Sequence, residues 1–352
     1  MVICSRVKLY LTQEQKELFE DNLIKFWLCT NWWIDKIREI ESTNIKILHR
    51  DYYKISRKIF EIGGVQSQLC MTIAIKISRT SRKRRENSPY LRKKQLYFNR
   101  VKTENEKVRL TFGKGFFWVD FKGIIKGNTI KQCTANKING EWYLHIAFEL
   151  EEPKEKQYKR CMGVDLGIAK TAVVCDWNGN NTRFFGGEPF RFKKGHYRDL
   201  RKSMQENIKK GNTYKALKNI GKKESNWVTD MNHKISREIV NMAVQNKRTI
   251  VLEKLTGITE RLNVNKKTRK MIKGWSFREL ADFIKYKAKK EGITVLEVDP
   301  RGTSKECPKC KNYSRSNRKK QERFICTQCG YESNADRVAA MNIALRGTEL
   351  LA

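Results

Sequence analysis

Two C-x-x-C pairs, Cys307-Pro308-Lys309-Cys310 and Cys326-Thr327-Gln328-Cys329, lie fifteen residues apart and constrain this chain more than any other feature. Each pair makes a tight turn that presents two thiolates, and four thiolates at this spacing suit one tetrahedral zinc ion. The run between them, RSNRKKQERF at its centre, is too polar to bury a core, so the metal must hold the module together. Four thiolates leave no open coordination position, which makes the expected role structural rather than catalytic. A redox pair is the weaker reading, because neither C-x-x-C sits in a thioredoxin-like strand–helix–strand context. The other cysteines (Cys4, Cys29, Cys70, Cys133, Cys161 and Cys175) lie singly among apolar residues and read as small core hydrophobes.

Charge narrows the class. Lys and Arg number 74 against 38 acidic residues in 352, a net charge of +36. Self-repulsion on that scale opposes compaction unless a polyanion relieves it. The basic residues are spread along the whole chain rather than gathered on one amphipathic helix, so a long nucleic acid fits better than an acidic membrane surface. Two local clusters stand out as backbone-contacting candidates. One comprises Arg79, Arg82, Lys83, Arg84 and Arg85; the other is a basic, turn-rich loop over 257–274 with Lys266, Lys267, Arg269 and Lys270. No apolar run approaches the roughly 18 residues of a spanning helix. Arg6 and Lys8 interrupt the N-terminal apolar stretch before it resembles a signal peptide. The expected location is therefore the cytoplasm.

Periodicity divides the chain. Residues 2–10 alternate as a strand, and Thr12 to about Glu41 and about 65–86 read as helices. Segments VRLTF, FFWVDF, TIKQCTANKI and EWYLHIAFEL read as strands, with Asn139-Gly140 a strong hairpin signal between the last two. The charged stretch 151–160 is the best boundary. Beyond it the grammar becomes α/β. Buried strands lie around RCMGVDLGIAKTAVVCDW and TIVLEKL, and a helical region over about 196–246 is expected to break near Gly211 and Gly221. Helix FRELADFIKYKAKKEG, strand ITVLEV and a final helix NADRVAAMNIALRG follow.

Three carboxylates lie in apolar surroundings: Asp165 in MGVDLGIAK, Glu253 ending IVLEKL, and Asp336 opening the last helix. A charge beside a buried strand costs several kcal/mol unless it is paired or binds a metal. Two strand ends and a helix start can converge in an α/β sheet, and three carboxylates there suit two Mg²⁺ ions about 4 Å apart. Singly, Asp336 also reads as part of a helix cap and Glu253 as a partner of a cation such as Lys254. On these grounds alone Asp299, ending ITVLEVD, is equally eligible.

Context comes from resemblance. The runs GVDLGIAKTAVV, IVLEKL, GWSFRELADFIKYKAKKEGITVLEVDPRGTSKECPKC and CTQCGYESNADRVAAMNIALRG, in this order and spacing, resemble the TnpB family. That family comprises transposon-encoded relatives of the compact type V CRISPR effectors. The similarity covers about 160–347 firmly and the first 155 residues more loosely. It implies that Asp165, Glu253 and Asp336 are the three RuvC carboxylates holding Mg²⁺ (or Mn²⁺), with Asp299 outside the set. It also implies a multidomain α+β architecture. Residues 1–10 and 92–155 would form a β-barrel-like wedge, with a helical recognition domain over 11–91 inserted in it. A RuvC-type, RNase H-like α/β nuclease would cover 156–302 and 334–352, with a zinc ribbon over 303–333. Family members bind a guide RNA, recognise a short motif beside the target in duplex DNA and cut both strands. A prokaryotic or phage setting and association with the nucleoid follow, and the oligomeric state stays open. Dispersed Lys and Arg suit gripping of a heteroduplex backbone, since guide pairing reads the sequence. The rivals are a guide-directed DNA-binding protein without cleavage, an RNase H-like transposase, and a CRISPR effector using a repeat-derived RNA.

Overall fold

A computed structural model describes residues 2–84, 90–91, 95–98, 101–112, 115–123, 129–206, 213–254 and 276–352. They form two compact units that divide between Glu151 and Glu152.

The first unit begins with strand β1 (Val2–Tyr10), continues through helices α1 (Gln13–Glu39), α2 (Ile45–Phe60) and α3 (Gly64–Arg84), and ends in strands. These are β2 (Leu96–Phe98), β3 (Lys102–Glu104), β4 (Lys107–Phe112), β5 (Gly115–Lys122), β6 (Thr129–Ile138) and β7 (Glu141–Glu149). All seven strands join one sheet in the order β2-β6-β7-β1-β5-β4-β3. Because β1 lies antiparallel between β7 and β5, the three helices are an excursion between the first strand of the sheet and the rest. Thr12 starts the excursion with a reciprocal cap. Its hydroxyl accepts from the Gln15 amide at 3.2 Å, and the Gln15 side chain accepts from the Thr12 amide at 3.0 Å. Strand β7 buries every second residue, Trp142, Leu144, Ile146 and Phe148, which is the period-2 signature of a half-buried strand. Phe19 of α1 packs edge-on against Trp142, with ring centroids 4.9 Å apart, and joins helix core to sheet core. At the β6–β7 turn Asn139 and Gly140 have φ of 52° and 86°, the paired left-handed geometry that Asn-Gly favours. Helix α2 falls outside the expected helices. Its Leu48, Tyr52, Ile55 and Ile59 do recur at helical spacing, although only Leu48 and Ser56 are fully buried.

The second unit is a three-layer α/β assembly. Its sheet runs β10-β9-β8-β11-β12, from β8 (Cys161–Asp165), β9 (Lys170–Asp176), β10 (Arg183–Gly186), β11 (Thr249–Glu253) and β12 (Val295–Val298). Strands β8, β11 and β12 are parallel, and β9 and β10 extend the sheet antiparallel. Met162, Val164, Ile250 and Leu252 face a core built with α4 (Glu188–Glu206), α5 (Thr213–Asn246) and α6 (Phe277–Glu291). Cys161, Val251 and Val298 face the other way, onto Ile343 and Ala344 of α7 (Ala335–Glu349). Burial on both faces explains why these strands read as continuous apolar runs. Helix α7 sits unusually close. A Cβ on Gly163 would fall 2.0 Å from the Ala340 carbonyl oxygen, and one on Gly347 would fall 2.2 Å from the Val251 side chain. The expected break at Gly221 is absent, because α5 continues through it; Gly211 lies outside the described residues. A glycine inside a helix costs about 1 kcal/mol, which the packing of a 34-residue helix outweighs. Between β12 and α7 a short two-stranded ribbon, β13 (Arg323–Ile325) with β14 (Glu332–Asn334), carries the second cysteine pair.

Candidate active site

Asp165 and Glu253 are the last residues of neighbouring parallel strands, whose register pairs Val164 with Leu252 just before them. Carboxyl ends of strands are where open α/β sheets receive ligands. Asp336 arrives from the third element, in the first turn of α7. The Asn334 side chain caps that helix, accepting from the amides of Asp336 at 3.0 Å and Arg337 at 3.2 Å. The absence of a side chain at Gly163 lets α7 lie directly on β8, and the charge of Asp336 at the start of that helix reaches Asp165.

Each carboxylate is half-buried, and burial is the leading cause that raises all three above their ordinary range. Burial holds the Asp165 carboxyl well above the usual carboxylate range. The charges of Glu253 and then Asp336 push it further, and Arg318 pulls the other way. Burial also raises Glu253; the Thr303 hydroxyl and Arg346 oppose this, and Asp299 adds to it. Asp336 is raised by burial, with Arg318 the leading opponent. A group of carboxylates that cannot comfortably ionise together is a site that a divalent cation would relieve. Arg318 Nη2 stands 3.1 Å from Asp336 Oδ1, a partial substitute for such a cation.

Asp299 behaves differently. It is exposed, its Oδ1 accepts from the Arg301 amide at 3.0 Å, and its charge reaches Glu253. Its carboxylate thus caps a turn at the margin of the group.

The four cysteines form a second, tighter cluster. Their sulfurs all lie within 4.8 Å of one another, with Cys307 Sγ 3.6 Å from Cys329 Sγ and Cys310 Sγ 3.5 Å from Cys326 Sγ. The backbone shapes both turns. The Cys329 amide donates to Cys326 Sγ at 3.4 Å, and Gly330, at φ 69°, donates to the Cys326 carbonyl at 3.0 Å. Burial pushes the Cys307 thiol up to about 12. At Cys326 the amides of Cys329 and Gln328 and the neighbouring thiols outweigh burial and bring it down to about 6. Among the described residues Phe324, Ala335 and Val338 are buried with the cysteines in the local core, and Tyr331 packs against it. Four soft donors converging with so little apolar support fit a bound metal ion as the organising element. Among the described residues this is the one group of His, Cys, Asp or Glu with ligand atoms so closely gathered. The three carboxylates are spread more widely.

Of the basic candidates, Arg79 is described: it is exposed on α3 and donates to the Thr43 hydroxyl and carbonyl, each at 3.3 Å. Arg82, Lys83 and Arg84 end α3 with side chains outside the described set. Arg85, Lys266, Lys267, Arg269 and Lys270 lie outside the described residues altogether. Among the described residues no helix is long and apolar enough to cross a membrane. Sequence reasoning missed Thr303, Arg318 and Arg346, which reach the carboxylates from loops and a helix flank with no motif spacing of their own.

Comparison with known proteins gives this geometry its family. Residues 145–258 match the OrfB_IS605 family model, described as a probable transposase, and residues 277–343 match the model of the Cas12f1-like TNB domain. The chain is 33% identical over 233 residues to the CRISPR-associated endodeoxyribonuclease Cas12f1 of Sulfoacidibacillus thermotolerans, covering 61% of this chain and 53% of that protein. It therefore spans about half the length of the Cas12f1 relatives it matches. A solved Cas12f1–sgRNA–target DNA complex shares its fold, with TM-score 0.68 at 16% identity over 95% of this chain and 83% of that one. A TnpB-like protein of Methanocaldococcus jannaschii is 30% identical over 194 residues, covering 53% of this chain and 69% of that protein. The match over so much of a short relative, together with the two family models, places this chain in the TnpB-like family.

Proposed function

We propose that this chain is an RNA-guided DNA endonuclease that cuts both strands of a duplex target beside a short adjacent motif. The observation that carries this reading is the convergence of Asp165, Glu253 and Asp336, three half-buried carboxylates held above their ordinary range in a chain of net charge +36. The chain as a whole carries 74 Lys and Arg against 38 acidic residues; here it gathers negative charge instead. In this reading the second unit is a RuvC-type, RNase H-like nuclease over 156–302 and 334–352. Residues 303–333 are an inserted ribbon whose Cys307, Cys310, Cys326 and Cys329 hold structural zinc. The first unit is a wedge over 1–10 and 92–155 with a helical recognition domain over 11–91.

Asp165, Glu253 and Asp336 would hold Mg²⁺ or Mn²⁺, which supplies Lewis-acid stabilisation of the attacking and leaving oxygens of a phosphodiester. The chain's own contribution is placement. Two strand ends and one helix start fix three carboxylates by backbone register, so little reorganisation is needed when cations and DNA arrive. Their partial burial would limit the screening of such cations by bulk water. Guide RNA and target duplex are gripped by basic residues elsewhere, and sequence is read by pairing with the guide. The Cas12f1 relatives and the Cas12f1–sgRNA–target DNA neighbour support that choice of partners.

The identity to Cas12f1 proteins favours one second reading, a compact type V CRISPR effector with the same chemistry. Sequencing the RNA that copurifies with the chain separates the two, since a transposon-end transcript and a repeat-derived guide differ. The test of the activity itself is cleavage of a matching duplex by the purified complex in Mg²⁺. A complex that binds its target and never cuts in Mg²⁺ or Mn²⁺ would instead be a guide-directed binding protein.

A further inference from the structure

Glu253 ends a strand, but the direction of its carboxylate is set from outside the strand. The Thr303 hydroxyl donates to Glu253 Oε1 at 2.7 Å and is, among the described residues, the one donor that carboxylate has. Thr303 is 4% exposed, and its hydroxyl also lies 3.1 Å from the Pro300 carbonyl oxygen. One hydroxyl carries one proton, and the shorter contact to the charged acceptor takes it. The turn that presents Thr303 is itself clamped. Asn342 of α7, 2% exposed, donates its side-chain amide to the carbonyls of Thr303 and Glu306, each at 2.7 Å. Further along the same helix, Arg346 donates to the carbonyls of Asp299 at 2.7 Å and Arg301 at 2.8 Å and pairs with Glu306 at 3.0 Å. Gly302, at φ 82°, allows the tight turn between them.

We propose that Thr303 is a positioning residue for Glu253, and that Asn342 sets Thr303 in place. One helix thereby registers two carboxylates of the site: Asp336 directly, and Glu253 through Asn342 and the turn 299–306. The hydroxyl fixes one oxygen of Glu253 and leaves Oε2 without a donor among the described residues, so the side chain is oriented while a lone-pair-bearing oxygen stays available to a cation. The inference rests on the nuclease reading of the site, and its test is built to fail separately from that reading.

Thr303→Val keeps the shape and loses the hydroxyl; Thr303→Ser keeps the hydroxyl. With the full chain and its guide, Thr303→Val lowers the cutting rate by roughly 10–100-fold, the usual loss when a residue orienting a metal ligand is removed, and Thr303→Ser stays within about threefold of wild type. Binding of Mn²⁺ is measured in parallel by electron paramagnetic resonance, taking as specific the ions that wild type binds and Asp165→Ala does not. Affinity for these ions falls in Thr303→Val and returns in Thr303→Ser. Thermal melting accompanies every variant, and Thr303→Ala replaces Thr303→Val if the latter does not fold. Wild-type cutting and Mn²⁺ affinity in a folded hydroxyl-less variant overturn the proposal, as does a folded Ser variant as impaired as Val. If wild type never cuts, the nuclease reading falls, and the role of Thr303 then stands or falls on the Mn²⁺ affinities alone.

Discussion

The second unit holds two clusters of like groups, and they solve the problem of gathering like groups in opposite ways. The thiols crowd within 4.8 Å of one another on two short turns, leaving room for one ion and nothing else. The carboxylates stand farther apart on three separate elements, and Asp165 feels the charges of both Glu253 and Asp336, with Arg318 and Arg346 as the opposing cations. A closed set of ligands directs its binding energy into local folding, whereas an open set keeps capacity for a substrate. The same difference governs how far damage spreads.

The sharpest way to break the comparison is to remove one carboxylate. Asp165→Ala, Glu253→Ala and Asp336→Ala each reduce cutting far beyond the roughly hundredfold typical of an outer partner, while target binding survives in a filter or gel-shift assay. Each variant should melt no lower than wild type, because a crowded acidic group loses a repelling member. Asp299→Ala, the turn cap, retains cutting. A folded Asp299→Ala as inactive as the other three would redraw the site. The closed cluster should respond in the reverse pattern. Cys307→Ser or Cys326→Ser forfeits zinc measured by elemental analysis, and with it folding free energy on the order of 10 kcal/mol contributed by such an ion. Solubility falls together with activity. Zinc-free wild-type protein with an intact ribbon would end the distinction.

A milder test asks whether gripping is separable from both clusters. Replacing Arg82, Lys83, Arg84 and Arg85 together by Gln should flatten the dependence of RNA affinity on salt by up to about three units of slope, at about 0.7–0.9 for each phosphate no longer neutralised. An unchanged slope makes that run a solvated face. The smallest effect concerns a buried cation that, among the described residues, pairs with no carboxylate. Lys287 is 3% exposed and donates to the His233 carbonyl at 2.6 Å and the Ser236 hydroxyl at 2.7 Å; burial brings its ammonium down to about 8. The folded form therefore releases a proton that the unfolded chain keeps until about pH 10.4. Stability from this group is full above that value and is lost as the pH falls through 8. Melting temperature should rise between pH 8 and 10 in wild type relative to Lys287→Met, and parallel curves would assign the shift elsewhere.

What could be read from the chain follows how locally each feature is encoded. The thiol cluster needs two turns within 23 residues, and its spacing alone announced it. Asn139-Gly140 specified its hairpin because two consecutive residues had to adopt positive φ. The carboxylates were legible only in part. A lone acid at the end of an apolar run is conspicuous, but by the residues alone Asp299 looked as good as Glu253, and only the family resemblance set it aside; in the structure its carboxylate is engaged by the Arg301 amide. Thr303 was invisible, since a threonine acquires meaning only once Asn342, far along the chain, grips its carbonyl. Gly221 misled because propensity is a weak prior beside the packing of α5 on α6. Gly163, by contrast, shows its necessity only when the backbone of α7 is laid upon it.

That close approach has a kinetic consequence. The core beneath α7 joins Cys161, Val173 and Cys175 to Ala340, Met341 and Ile343, pairs separated by more than 150 positions in the chain. Closing so long a loop is entropically slow, and parallel strand pairing adds further non-local steps. The docking of α7 should consequently be a late step in the folding of the second unit. Until α7 docks, one whole apolar side of its sheet remains open to water and to other chains, so the yield of refolding should depend on protein concentration through this unit.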